Sequence, residues 1–141
     1  MRWLFLLLAG CAPVFLGADT LPVSQRYGLV LPEAKLIARL EEGPVEITEF
    51  YFEPQSGYRP RSVAEIRRLG ELLQGQLQAR GFVFRCERYN LLLGEAYWVL
   101  RMQRGSEGVG LYLRALERPD AYRLEVALTA PQPPLFQCPP R

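Results

Sequence analysis

AYWVLRMQRGSEGVGLYLRALERPDAYRLEVAL, residues 96–128, is the stretch that decides the predicted fold of this chain. Apolar side chains recur at every second residue from Ala96 to Met102, and the same period returns after each of two turns that contain glycine or proline. A period of two with one apolar and one mixed face is typical of a half-buried antiparallel strand. The stretch therefore predicts three consecutive strands joined as a meander.

A long helix is predicted just before these strands. Ser62 and Glu65 have the spacing of a capping box, in which the two side chains each bind a backbone N–H of the first helical turn. An apolar stripe follows, and Gly81 supplies the left-handed conformation that ends many helices. The stripe consists of Ile66, Leu69, Leu73 and Leu77. The helix leads into a fourth strand over residues 82–88, whose core-facing side chains are predicted to be Phe82, Phe84 and Cys86.

A short helix and one more strand are predicted upstream. Pro32 suits a first helical turn, and the helix ends at the glycine and proline of residues 43–44. Its apolar face consists of Leu36, Ile37 and Leu40. Branched and aromatic residues predict a strand over residues 45–53, whereas residues 19–31 show no clear period. We expect an α+β fold with one antiparallel meander sheet of four to five strands, and with one long and one short helix packed on one face.

The N-terminus has the composition of an export signal. One arginine precedes a short apolar run, and small residues follow it. Leu8-Ala9-Gly10-Cys11 resembles the lipobox of bacterial lipoprotein precursors, which implies that Cys11 becomes the lipidated first residue of the mature protein. The alternative is ordinary cleavage after Ala18. Residues 1–18 are thus assigned to the signal, residues 19–130 to a single domain and residues 131–141 to a proline-rich tail.

The cysteine count agrees with export under either cleavage. Both cuts remove Cys11 from the pool of free thiols, which leaves Cys86 and Cys138 as a pair. In an oxidising compartment such a pair predicts a disulfide, which would tie the tail back onto the strand that carries Cys86.

Composition excludes several classes of function. The chain has 17 basic and 15 acidic residues, so it lacks the basic excess of a nucleic-acid-binding protein. It has no histidine, the commonest general base and metal ligand. We therefore expect no catalytic site, no metal and no cofactor.

Two surfaces remain as candidates for binding. The mixed face of the sheet carries Arg101, Tyr112 and Arg114, which would either hold an anionic or aromatic ligand or form a solvated face with Arg–Glu pairs. The connection after the first meander strand carries Leu91 and Leu92, which are either core residues or an exposed apolar tip. The expected function is that of an exported cell-envelope protein, anchored through Cys11 if that residue is lipidated, which contacts another envelope protein without catalysis. The alternative is a periplasmic protein that binds a small ligand or a lipid.

Overall fold

One large antiparallel sheet dominates the fold. The computed structural model describes residues 20–91, 96–127 and 138. Its helix, α1, spans Ile66–Ala79 and follows a 3-10 turn at Val63–Glu65. The strands are β1 (Thr20–Ser24), β2 (Leu29–Pro32), β3 (Lys35–Glu42), β4 (Val45–Tyr51), β5 (Val83–Asn90), β6 (Tyr97–Arg104), β7 (Glu107–Ala115) and β8 (Ala121–Ala127).

Six of these strands form the sheet in the order β3-β4-β8-β7-β6-β5, and β1 and β2 form a separate hairpin. Strands β5 to β8 are the predicted meander, and every neighbouring pair in it is antiparallel. The β3–β4 hairpin extends the sheet by pairing β4 with β8. Strands β3 and β5 therefore lie at its two edges.

The predicted fold class was wrong in strand number and in helix number. The described residues form a sheet of six strands instead of four to five, and one helix instead of two. The segment predicted as a short helix is β3, which pairs with β4 along its length. Gly43, with φ 61°, opens the tight turn between them, a conformation that glycine adopts without steric cost. The apolar spacing that suggested a helix face is equally compatible with an edge strand, because an edge strand does not bury a complete face.

Helix α1 and the β1–β2 hairpin together cover one face of the sheet, which we call the inner face. Leu21, Val23, Leu29 and Leu31 belong to the same apolar cluster as the buried stripe of α1. Gln76 joins the two parts of this layer, because its side chain donates to the carbonyl of Val30 (2.8 Å) and accepts from its N–H (2.9 Å). The segment without a sequence period thus supplies half of the covering layer.

The stripe of α1 is buried as predicted, whereas the predicted capping box does not form. Ile66, Leu69, Leu73 and Leu77 are buried, and Gly81 has φ 91°. Glu65 occupies the N-cap position, and no side chain caps the helix. The Glu65 carboxylate instead accepts from the N–H of Arg61 at 2.9 Å, and the Glu65 N–H donates to the Ser62 carbonyl at 3.0 Å. Val63–Glu65 therefore form a 3-10 turn before the helix.

Candidate functional site

The face of the sheet opposite α1, which we call the outer face, carries most of the predicted binding residues. Tyr112 and Arg114 lie there and are half-buried. The rings of Tyr97 and Tyr112 pack edge to face with their centroids 6.2 Å apart. Tyr97 is directly opposite Arg114 in the strand register. The structure therefore places Tyr112 and Arg114 on one face, as the sequence pattern predicted, and Tyr97 of β6 lies beside them.

Arg101 lies on the same face, but it is not exposed. Its relative exposure is 9%, and its Nε atom is buried without a hydrogen-bond partner. Opposite it, Gly110 leaves room for the side chain, since a Cβ atom at that position would be 3.3 Å from the Arg101 Cδ. Burial, and secondarily the charge of Arg85, holds the pKa of Arg101 below its ordinary value. A buried N–H donor without a partner is energetically unfavourable.

Part of the outer face is neutralised by ion pairs across strands. Arg123 donates to Glu125 at 3.0 Å and to Glu49 of β4 at 3.3 Å. All three side chains are about a quarter exposed. This region therefore matches the prediction of a face with Arg–Glu pairs.

The leucine connection divides between described and undescribed residues. Leu91 is half-buried and packs against the apolar core. Leu92 lies outside the described residues. The part of the connection that the structure describes thus contributes to the core.

The predicted disulfide is confirmed, but Cys86 lies on the other face from the one expected. Cys86 and Cys138 are bonded, with their Cα atoms 5.8 Å apart. The pairing of β5 with β6 shifts between Phe84 and Cys86, which leaves Arg85 as the extra residue of a bulge. A bulge changes the side-chain alternation that follows it, so Cys86 faces outward beside Arg101, and Glu87 faces α1. Phe84, predicted to be in the core, is exposed at the side of α1.

Glu87 is the centre of a polar cluster on the inner face. Its carboxylate accepts from the Arg67 guanidinium (Nε at 3.0 Å) and from the Trp98 indole N–H at 2.9 Å. The Glu87 side chain is 14% exposed. The hydrogen bonds from Arg67 hold the pKa of Glu87 below its ordinary value. Both oxygens of the Glu87 carboxylate already accept hydrogen bonds from Arg67 or Trp98. This cluster therefore attaches α1 to the sheet.

Exposed apolar side chains concentrate on the two edge strands. Among the described residues, the large exposed apolar side chains outside the loops are Leu36, Ile37 and Leu40 on β3 and Val83, Phe84 and Tyr89 on β5. Edge β5 is held by the disulfide, and Tyr89 lies under the Arg67 guanidinium, 5.2 Å from it. On edge β3 the three apolar side chains stay exposed.

We call the exposed side of strand β3 the β3 edge. It carries the apolar side chains of Leu36, Ile37 and Leu40, and sequence reasoning missed it. Leu36 is 47% exposed and Leu40 is 46% exposed. Beside them, Leu40 and Arg39 line an open depression of about 320 Å³ that continues to Pro22 of β1. The Arg39 guanidinium donates to the Pro22 carbonyl at 2.6 Å. The signal that favoured a hairpin here was the glycine–proline pair at 43–44, a turn-forming dipeptide between two segments that contain apolar residues.

Searches for a metal site and for a membrane span gave no candidate in the described parts of the chain. Residues 20–91, 96–127 and 138 contain no group of three or more side chains suited to a metal ion. The one helix described there is too short and too polar to cross a membrane. Comparison with protein-family models, with curated proteins and with solved structures found nothing that matches this chain.

Proposed function

We propose that this chain is an exported, non-catalytic protein of the cell envelope that contacts a protein partner along the β3 edge. The observation that carries the proposal is an outermost strand of eight residues with three large apolar side chains in water. Such edges are usually blocked in monomeric proteins because they pair readily with other strands. A partner that adds a strand there would satisfy the free backbone groups and bury the apolar side chains.

Export is supported by the covalent chemistry of the chain. A disulfide between Cys86 and Cys138 is expected to persist in an oxidising compartment and to be rare in a reducing one. The N-terminal pattern adds the proposal of a lipid anchor on Cys11. Intact mass of the native protein tests this: acyl chains on Cys11 support the anchor, and an unmodified N-terminus at Asp19 contradicts it.

The contact itself is tested by photo-crosslinking in the native cell envelope. A photoreactive amino acid is placed at Leu36 or at Leu40, and Tyr58, which is 43% exposed on a loop, is the matched control position. We expect both β3 positions to give an adduct with one and the same protein, with a much lower yield at Tyr58. Equal yields at the three positions, or no adduct at β3, would contradict the proposal.

Arg101 favours a second candidate function, the binding of a small anion on the outer face. An anion at its guanidinium would satisfy a charge that has no opposite partner among the described residues. Inorganic phosphate or citrate should then raise the thermal midpoint of the wild type and leave that of Arg101→Met unchanged. An equal shift in both proteins would exclude this site.

A further inference from the structure

The β3 edge carries opposite charges on the same side of one regular stretch of strand. The pairing of β3 with β4 shifts between Leu36 and Ala38 and is regular from Ala38 to Glu42. In that stretch Arg39 and Glu41 face the inner side, with Thr48 and Glu46 of β4 as their neighbours. Leu40, between them, faces the outer side, since successive side chains of a strand point to opposite faces.

Glu41 has no compensating charge in the part of the chain that the structure describes. Its direct neighbour on β4 is Glu46, another carboxylate. Glu46 already accepts from the Ser24 hydroxyl at 2.6 Å and from the Gln25 N–H at 2.9 Å. Within the described residues no cation pairs with Glu41, although like charges directly opposite each other destabilise a sheet. The edge therefore presents an unpaired carboxylate next to Arg39.

Two copies of β3 can pair antiparallel around a two-fold axis in few ways. Residues that lie opposite each other must point to the same face of the sheet. The two-fold axis must therefore pass midway between one residue and the same residue of the other copy. An axis at Arg39, Glu41 or Glu42 would place two like charges against each other. An axis at Ala38 would oppose Leu36 and Leu40, which face different sides because of the β3 bulge.

Within Ala38–Glu42, an axis at Leu40 brings no like charges together and opposes only side chains that point to the same face. Arg39 of each copy then lies opposite Glu41 of the other, which makes two reciprocal ion pairs on the inner face. Leu40 of one copy lies against Leu40 of the other on the outer face, and this contact removes both side chains from water. The same arrangement gives each Glu41 the cation that the described residues of one copy do not provide.

We infer that the partner of the β3 edge is a second copy of this chain, paired antiparallel through β3 with the two-fold axis at Leu40. The two six-stranded sheets would then continue into one another. This inference rests on the proposed contact function of β3, and it names the occupant of that surface. It also explains why a basic residue, Arg39, and an acidic residue, Glu41, lie on either side of Leu40.

Cysteine crosslinking tests the register directly. In the full chain carrying Cys11→Ser, Leu40→Cys would place two thiols in self-opposed positions, where the Cα atoms of paired strands are about 4.5–5.5 Å apart and a disulfide can form. Leu36→Cys is the matched control, since Leu36 is equally exposed. At roughly 3.4 Å per residue, Leu36 of one copy would lie about 27 Å from Leu36 of the other. We expect mild oxidation to give a covalent dimer with Leu40→Cys and essentially none with Leu36→Cys.

Charge exchange tests the ion pairs independently of the cysteines. In Glu41→Arg, the new arginine of each copy would lie opposite Arg39 of the other, so both ion pairs become pairs of like charges. We expect sedimentation equilibrium to place the monomer–dimer midpoint at a protein concentration higher by roughly tenfold or more. Arg39→Glu should act in the same direction, and the double variant Arg39→Glu/Glu41→Arg should restore dimerisation. Thermal melts of each variant identify any loss of folding, which matters for Arg39 because of its bond to Pro22.

The outcomes separate this inference from the proposed function. Equal crosslinking of Leu40→Cys and Leu36→Cys, or a folded double variant that stays monomeric, would overturn the two-fold register at Leu40. If the wild type is a monomer and photo-crosslinking at β3 captures a different protein, the self-pairing is wrong and the contact function stands. If β3 gives no adduct of any kind, both fail.

Discussion

Gly70 of α1 lies so close to Trp98 of β6 that a Cβ atom at Gly70 would be 2.6 Å from the indole ring. Real contacts of this kind do not occur at that distance, so glycine is needed for the helix to approach the sheet. The same indole donates its N–H to Glu87, which is bound by Arg67 of α1. Trp98 thus fixes α1 at two points, once by contact and once through a carboxylate.

The first prediction concerns the two glycines inside α1. Gly70→Ala should lower the free energy of unfolding by about 1–3 kcal/mol, because either the indole or the helix must move. Gly75→Ala is the control: a Cβ there meets nothing within 4 Å, and alanine should stabilise the helix by about 1 kcal/mol. Urea denaturation of both variants measures the difference. Equal effects of the two substitutions would show that the contact with Trp98 does not limit the packing.

The structure shows which parts of the fold a sequence pattern determines. Helix α1 and strands β6, β7 and β8 were predictable because each buries a continuous apolar stripe or face. Strand β5 was predictable from the alternation of Phe82, Phe84 and Cys86 in the sequence, although most of its side chains are exposed. Strand β3 was not predictable, because its apolar residues stay exposed at an edge. Its sequence therefore lacks the alternation of apolar and polar residues that marks a half-buried strand. The bulge at Arg85 was equally hidden, although it moves Cys86 to the face opposite the one expected.

The candidate site was predictable only in part for a related reason. The alternation of β6 and β7 placed Arg101, Tyr112 and Arg114 on one face, and the structure agrees. Alternation gives the direction of a side chain but not its exposure, and Arg101 is buried there. The β3 edge became visible only when the order of strands in the sheet was known.

Acid should weaken the attachment of α1 through Glu87. Because the folded-state pKa of Glu87 is lowered, the unfolded chain binds more protons in the acidic range, and the contribution to stability is fully present above about pH 4.3, the ordinary pKa of a glutamate. It is lost as the pH falls through the folded-state value. The free energy of unfolding of the wild type should therefore decrease below that pH, and that of Glu87→Gln should decrease less. Parallel pH profiles for the two proteins would contradict this role.

Removal of the disulfide should cost stability without changing the fold. The bond closes a loop with a sequence separation of 52, for which the chain-entropy model gives about 4 kcal/mol. Cys138→Ser should accordingly lower the thermal midpoint, while the far-UV circular dichroism of the folded state stays unchanged. Cys86→Ser should have the same effect, since each substitution removes the same bond. A clear difference between the two variants would mean that one cysteine has a role besides the bond.

The buried charge of Arg101 gives the last prediction. Arg101→Met keeps an apolar side chain as far as the Nε position and removes the unsatisfied Nε donor, whose burial costs about 1–3 kcal/mol. We therefore expect the variant to be more stable than the wild type by about 1 kcal/mol in urea denaturation without added anions. Arg114→Met is the control on the same face, because that residue is only half-buried and should change stability by less than about 0.5 kcal/mol. If Arg101→Met is strongly destabilising, the guanidinium has a partner that stabilises the fold, and the assignment of an unsatisfied charge on the outer face is wrong.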